Sequence, residues 1–380
     1  MKIILVANFP PDRQQSMQRF ATMLRDGLRA RGRKVRVVHP RAVLSRRAGR
    51  NAEGPSSAFA SKWLAYLDKF VLFPRTLKKA ARWADVVHIC DHSNAMYVAQ
   101  LVGKPHLVTC HDLLAVRGAL GEKTDCPATW AGKILQRWIL RSLRQAQMVA
   151  CVSSATRADL LRLGGTQLEK RSSVVLSGVT PAVHLVSPGD AARRLKETSA
   201  MVGRRPFLLN VGSNLSRKNR DGALRIFKMV SQRFDCDLVF AGEPLSAELK
   251  QLKSEIGLNG NVLEVPRPSD ATLEALYSSA FALLYPTKFE GFGWPAIEAQ
   301  ICGCPVVSSR STSIPEVVGE AALLRAPDDE EGFAADVLTL TDESFRQQLI
   351  ARGFQNVKRF TSERMVDDYI KLYQKLCAQN

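Results

Sequence analysis

TKFEGFGWPAIEAQICGCPVVSS, residues 287–309, is the stretch whose reading decides the fold. It runs as a loop, a helix and a buried strand. Pro295 suits a first helical turn, where its missing N–H has no intrahelical partner to lose, and it holds Trp294 extended. Gly291 and Gly293 flank Phe292 and leave the backbone bare enough for a ligand to approach closely. A glycine-flanked loop entering a helix offers backbone N–H groups and the positive end of the dipole, which suits a phosphate. Glu290 stands at the edge of the loop and Glu298 about one turn into the helix. Pro305-Val306-Val307 then buries the element against a sheet. The same residues, taken alone, also fit an ordinary strand–loop–helix connection with Glu298 on a solvated face.

Upstream of this stretch, Phe281–Pro286 (FALLYP) is the strand that delivers Glu290. A second strand with a charged loop begins at Pro206–Val211 and leads into Gly212-Ser213-Asn214-Leu215-Ser216-Arg217-Lys218-Asn219. Arg217 offers a planar fork and Lys218 a point charge for phosphate oxygens. Cations are disfavoured at a helix N-terminus unless an anion joins them, so the pair points to an anionic ligand. Asp237–Gly242 and Asn261–Val265 add strands, and helices are expected near Leu273–Ala280, Phe333–Leu340 and Glu343–Asn356.

The N-terminal half has the same alternation. Lys2–Asn8 is a buried strand, a helix follows from Gln15 to Arg31, and Lys34–His39 is the next strand, the opening βαβ of a doubly wound sheet. Further strands are Asp85–Cys90, Pro105–Cys110 and Met148–Ser153. His111 stands at the carboxyl end of a parallel strand, where such sheets bind ligands, and His88 and His92 flank a neighbouring strand end. Asp112 reads as a turn cap. Residues 41–58 are polar and basic and read as a loop. Beyond them Trp63, Leu64, Leu67, Phe70 and Val71 recur at helical spacing among lysines and arginines. Such a helix fits an anionic bilayer and equally a packed outer helix with snorkelling lysines. Residues 181–205, with two prolines and Arg204-Arg205, read as a hinge. The expected domains are 1–180, the hinge 181–205, 206–360, and a terminal helix over 361–380.

With 380 residues, 46% hydrophobic and 24% charged, the chain has the size of two soluble globular domains. No apolar run reaches the roughly 18 residues of a membrane span, and no signal peptide is evident, so a cytoplasmic protein is expected. The eight cysteines stand in apolar surroundings and read as buried thiols rather than disulfides or metal ligands. The net charge of +18 is lopsided: residues 1–200 carry 33 Lys and Arg against 13 Asp and Glu, residues 201–380 carry 21 against 23. This asymmetry points to a polyanionic partner for the first half: a membrane surface, a nucleic acid or an anionic acceptor.

Glu290–Gly293, Glu298–Ala299 and Cys302–Val307 together resemble the signature of retaining nucleotide-sugar glycosyltransferases of family 4: E-G-F-G, then E-A, then C-G-x-P-V-V. Pro315-Glu316-Val317-Val318-Gly319, the V-T-x-H-D-L string at His111, and V-G-x-x-x-x-R-K-N ending at Asn219 extend the resemblance. The first 80 residues match weakly, Pro11–Ser16 stands where the family usually carries a Gly-Gly pair, and Ser213 replaces an arginine found in many members. The resemblance implies a GT-B fold: α/β, two doubly wound Rossmann-like domains facing a central cleft, with the terminal helix crossing back to the first. It implies transfer of a sugar from a nucleotide diphosphate sugar to an acceptor, a glycan or a lipid-linked glycan, with retention. Arg217, Lys218 and the backbone of Gly291, Phe292 and Gly293 would hold the diphosphate without a metal. Glu298 would bind the ribose, and Glu290 and His111 would contact the donor sugar. A nucleotide-sugar epimerase and a basic nucleic-acid-binding protein are the alternatives, the latter without a recognised motif, so no nucleic-acid partner is expected. On sequence alone, Glu290→Ala and Lys218→Ala should each stop transfer and spare the fold.

Overall fold

The computed structural model describes residues 1–12, 14–44, 63–180, 183–199, 201–258 and 260–379. The basic loop expected over 41–58 therefore falls largely outside the described residues. The chain forms two compact units, Met1–Ser177 with Ser362–Asn380, and Gly178–Thr361.

The first unit is built on β1 (Lys2–Val6), β2 (Lys34–Val38), β3 (Val86–Ile89), β4 (His106–Cys110), β5 (Met148–Cys151) and β6 (Ser172–Val174). All neighbouring pairs are parallel, in the order β2-β1-β3-β4-β5-β6. The central strands β3, β4 and β5 are buried along their whole length because helices cover both faces of such a sheet. The order reverses between β1 and β3, so the strand ends that open a crevice are those leading to Asn8 and Asp91. The helix Ser362–Ala378 packs on the helix Gln15–Ala30 and on β3. A Cβ on Gly27 would meet Val366 Cγ2 at 2.5 Å, so glycine is what lets the two helices touch.

His88 is a correction. It does not flank a strand end but lies inside β3, fully buried, with Tyr373 Oη and Thr109 Oγ1 each 2.7 Å from its two ring nitrogens. A polar ring there is a core group satisfied by one hydroxyl from the last helix and one from β4. The stretch after residue 62 is helical, with a π-turn over Asp68–Leu72 leading into the helix Phe73–Ala81. Its buried residues are Phe73, Leu77 and Ala81, whereas Trp63, Leu67 and Val71 are exposed.

The second unit is built on β7 (Phe207–Gly212), β8 (Asp237–Gly242), β9 (Val262–Pro266), β10 (Ala282–Tyr285), β11 (Val306–Ser309) and β12 (Leu323–Arg325). The sheet is again wholly parallel, in the order β12-β11-β10-β7-β8-β9. This is the dinucleotide-fold order 3-2-1-4-5-6, and its switch point lies between β7 and β10. The expected hinge, 181–205, holds a helix over Pro188–Thr198 that packs on the helix Asp270–Ser279. Ser187 caps it and Pro188 sits in its first turn, so the proline read as a linker residue starts a helix. All eight cysteines are free thiols, most of them buried. Among the described residues, no helix is long and apolar enough to cross a membrane.

Candidate active site

β7 and β10 run side by side, and the loops leaving their carboxyl ends meet at the switch point. Gly212 and Gly242 pair across β7 and β8, and a Cβ on Gly242 would strike the Gly212 carbonyl oxygen at 2.2 Å. The bare backbones let the loop after β7 start this close to its neighbour. That loop closes in a 3₁₀ turn over Ser216–Lys218 and passes through Asn219 in the left-handed region (φ 52°, ψ 44°) before the helix Arg220–Ser231. Asn219 tolerates this conformation, and its amide donates to Pro286 O at 2.9 Å and Pro327 O at 3.1 Å.

The two loops are stitched together. Lys288 N–H donates to Arg217 O at 2.7 Å and Thr287 Oγ1 to the same oxygen at 2.9 Å. Arg217 Nη1 donates to Phe289 O at 3.1 Å and to Glu290 Oε2 at 3.2 Å. Lys218 Nζ lies 2.6 Å from Glu290 Oε1 and 3.0 Å from Tyr285 Oη. Glu290 Oε1 also accepts from Tyr285 Oη at 2.6 Å, and Thr287 Oγ1, which shares its one proton between this oxygen and Arg217 O, lies 2.9 Å from it. Burial opposes ionisation of Glu290, but the Lys218 ammonium and the Arg217 guanidinium outweigh it and hold the carboxyl below its usual range. Burial and then the Glu290 charge push the Tyr285 phenol well up, so it stays a donor. The predicted cations, both half-buried, and the buried predicted carboxylate thus form one cluster.

From Glu290 the chain turns through Gly291 and Phe292 to Gly293, whose φ of 100° admits no side chain without strain, and enters the helix Trp294–Ile301, so Trp294 is the first helical residue and not the extended one expected before Pro295. Phe292 sends its ring to Phe360, edge-on at 5.7 Å. Glu298 is buried, not solvated, and accepts from Tyr277 Oη at 3.2 Å.

Sequence reasoning missed three supports. Tyr285 and Thr287 orient Glu290. The hydroxyl run Ser308–Ser313, which begins in the last two residues of β11, latches the loop: Ser313 Oγ lies 2.9 Å from the carbonyl oxygens of both Glu290 and Phe292 and shares its one proton between them, and Thr312 Oγ1 accepts from Glu290 N–H at 3.0 Å. Six residues with five hydroxyls following an apolar run would have been the signal. Arg220, next to the recognised cations, is buried and donates to Asn214 Oδ1 and Glu243 O, both at 2.7 Å, and to Gly212 O at 2.6 Å. Burial lowers its guanidinium to about 10. Arg220→Met should cost about 2–4 kcal/mol, because several buried acceptors lose their donor together; an unchanged urea midpoint would refute this.

In the first unit, His111 follows β4 and is buried, with Nε2 2.9 Å from Cys90 O and its ring edge-on to Phe20 at 4.9 Å. Burial lowers its pKa, against the pull of Asp91, so the ring is neutral and donates from Nε2. His92 begins the 3₁₀ helix His92–Gln100, 3.2 Å from Asp91, whose carboxylate also accepts from Asn8. Asp112 Oδ1 accepts from Leu114 N–H at 3.0 Å, a turn cap as expected.

Two doubly wound units, one with a cation-lined loop at its switch point, define an α/β protein with two Rossmann-like sheets. Residues 17–183 match the family model for Glycosyltransferase Family 4, and residues 192–356 match that for Glycosyl transferases group 1. The chain belongs to the family 4, group 1 glycosyltransferases, and its two parallel six-stranded sheets are those of the GT-B fold. The O-antigen chain mannosyltransferase B of Escherichia coli is 29% identical over 249 residues, 64% of this chain and 65% of that protein. The O-antigen chain mannosyltransferase RfbU of Salmonella typhimurium is 25% identical over 239 residues, 61% of this chain and 64% of that one. The match thus spans just under two thirds of each relative's length. Sucrose-phosphate synthase from Thermosynechococcus elongatus superimposes with a TM-score of 0.76 at 20% identity, over all of both chains.

Proposed function

We propose that the protein transfers a sugar, with retention, from a nucleotide diphosphate sugar to a glycan or lipid-linked acceptor. One observation carries this reading: Arg217, Lys218 and Glu290 converge at the carboxyl ends of β7 and β10, the switch point where such sheets take their ligand. Breaking the bond between the sugar and the diphosphate puts negative charge on the leaving group. Lys218, Arg217 and the backbone N–H groups of Gly291–Gly293 neutralise it as it grows, in a site already organised around an anion. Two fixed cations do the work that a divalent metal would otherwise do, so transfer should persist in EDTA. Glu298 takes the ribose hydroxyls, as an ionised carboxylate can. Glu290, fixed by Tyr285 and Thr287, and neutral His111 keep the donor-sugar contacts that the family resemblance implies. The O-antigen relatives support a glycan acceptor, and the basic first half supports a peripheral contact with an anionic membrane at its cytoplasmic face.

The test is a panel of nucleotide sugars scored by thermal stabilisation, then by transfer. A donor at a hundredfold excess over its dissociation constant stabilises the folded chain by about 2.7 kcal/mol. One nucleotide sugar should raise the melting point of the wild type and not of Lys218→Met. No shift from any member of the panel would overturn the reading. Free or epimerised sugar formed without an acceptor would favour an epimerase.

A further inference from the structure

Four aromatic rings run in contact across two helical segments of the first unit. Trp63 lies edge-on to Tyr66 at 6.0 Å between centroids, Tyr66 stacks on Phe70 at 5.8 Å, and Phe70 meets Trp138 at 5.6 Å. Trp138 continues the strip along the helix Trp130–Gln145, because Ile134 and Trp130 stand four and eight residues before it on the same face. Little covers these side chains: Trp130 is 79% exposed, Trp63 60%, Ile134 48% and Trp138 43%, with Tyr66, Leu67 and Val71 exposed beside them. The helix Trp130–Gln145 meets the core through Ile139, Leu140 and Leu143 on its other side, so Trp130 and Ile134 are spare to folding. A contiguous apolar strip of this kind marks an interaction surface.

Charge selects the occupant. The helix Trp130–Gln145 carries Lys133, Arg137, Arg141 and Arg144, all exposed, and no acidic residue. Lys133, Arg137 and Arg141 recur every fourth position, so they form a row beside the tryptophan row. Arg75, Lys78, Lys79 and Arg82 are exposed on the turns that follow Phe70. Asp68, the one acidic residue between positions 63 and 84, is buried and accepts from the N–H groups of Val43 and Leu44 at 3.1 and 3.0 Å. A second copy would bring the same cations against this row, which disfavours pairing through it. Indole rings beside a row of lysines and arginines match the headgroup layer of a bilayer, where aromatic rings settle and anionic lipids attract cations.

We infer that this strip is the face by which the protein sits on an anionic bilayer, with Trp63, Trp130, Ile134 and Trp138 entering the headgroup layer and the basic row holding lipid phosphates. The inference rests on the proposed membrane-associated acceptor and names the surface that reaches it.

Sedimentation with phosphatidylcholine vesicles, with and without phosphatidylglycerol, tests it on the full chain. The wild type should bind the anionic vesicles, with a blue shift of tryptophan emission, and remain in solution with the neutral ones. Lys133→Ser/Arg137→Ser/Arg141→Ser should weaken binding on the order of a hundredfold, at the usual contribution of each cation near the surface. Trp63→Ser/Trp130→Ser should weaken it about tenfold through lost apolar contact. Both variants should keep the melting shift with the nucleotide-sugar donor, since neither touches the Lys218–Glu290 cluster. A wild type that ignores anionic vesicles, variants that bind as it does, or a dimer that the tryptophan variant dissolves would each overturn the docking face. Those outcomes with an intact donor shift leave the transferase reading standing; loss of the wild-type donor shift is the result that removes it.

Discussion

Lys218→Met should lower sugar transfer by about 10²–10³-fold, the usual cost of removing one group that stabilises charge developing in the transition state. The same substitution should also lower stability, which the sequence alone did not lead one to expect. Glu290 is buried, and Lys218 at 2.6 Å is the nearer of its two cations. Removing one partner of a buried pair leaves a charge with less to balance it, typically at about 3–5 kcal/mol; here Arg217 and two hydroxyl donors remain, so the lower end applies. Glu290→Gln should cost less, since its amide oxygen still accepts from Tyr285 and Thr287, but should also stop transfer. The double variant Lys218→Met/Glu290→Gln removes both charges and should regain stability over Lys218→Met while staying inactive. That split between restored folding and absent turnover separates a catalytic cluster from a structural ion pair. Wild-type-like turnover in Lys218→Met or in Glu290→Gln would remove the assignment. The pH dependence has a definite sign. The Glu290 carboxyl is held below 4.5 in the folded chain, so its pairing is fully present above 4.5 and is lost as pH falls through its folded value.

The convergence of these residues was legible in advance for a local reason. Gly212, Gly293, Pro295 and the Arg217-Lys218 pair each mark a turn, a close approach or a charge whose meaning lies within a few residues of chain. The groups that aim Glu290 were not legible. Tyr285 and Thr287 reach it from the end of the preceding strand, and Ser313 reaches it across a different strand. Hydroxyls act through such tertiary neighbours and leave no periodic trace. The helix Trp130–Gln145 hides behind two apolar stripes, one packed through Ile139, Leu140 and Leu143 and one exposed through Trp130, Ile134 and Trp138, which blur its 3.6-residue period. The helix Pro188–Thr198 hides for the opposite reason, because proline and glycine at its start are also what a linker contains. Glu298 has a third cause: the switch-point helix is covered on the side where an isolated helix would be wet.

Mild acid should destabilise the chain through His88, a group that a sequence reader would place at a strand end and that the fold places in the core. Its ring nitrogens face only hydroxyls, Tyr373 Oη and Thr109 Oγ1, and Thr109 Oγ1 lies in turn 2.8 Å from Tyr369 Oη. Burial, and secondarily the neighbouring His111, lower its pKa from 6.5 to about 3. Between those values the unfolded chain binds a proton that the folded chain refuses, so stability falls as pH drops from 6.5 toward 3. Each pH unit costs about 1.4 kcal/mol per such site, or about 2 kcal/mol between pH 6.5 and 5. His111 and His106, also lowered by burial, act with the same sign, whereas His92 is raised by Asp91 against its burial and opposes them. His88→Phe keeps a ring of similar size and abolishes this titration. It should be less stable than the wild type at pH 7, because Tyr373 and Thr109 lose a partner. Its stability should nevertheless decline less steeply between pH 6.5 and 5, by about one proton's worth of slope in urea titrations. Parallel acid limbs in the two proteins would mean that His88 is protonated in the fold, and that the Tyr373 and Thr109 hydroxyls do not seal it from water.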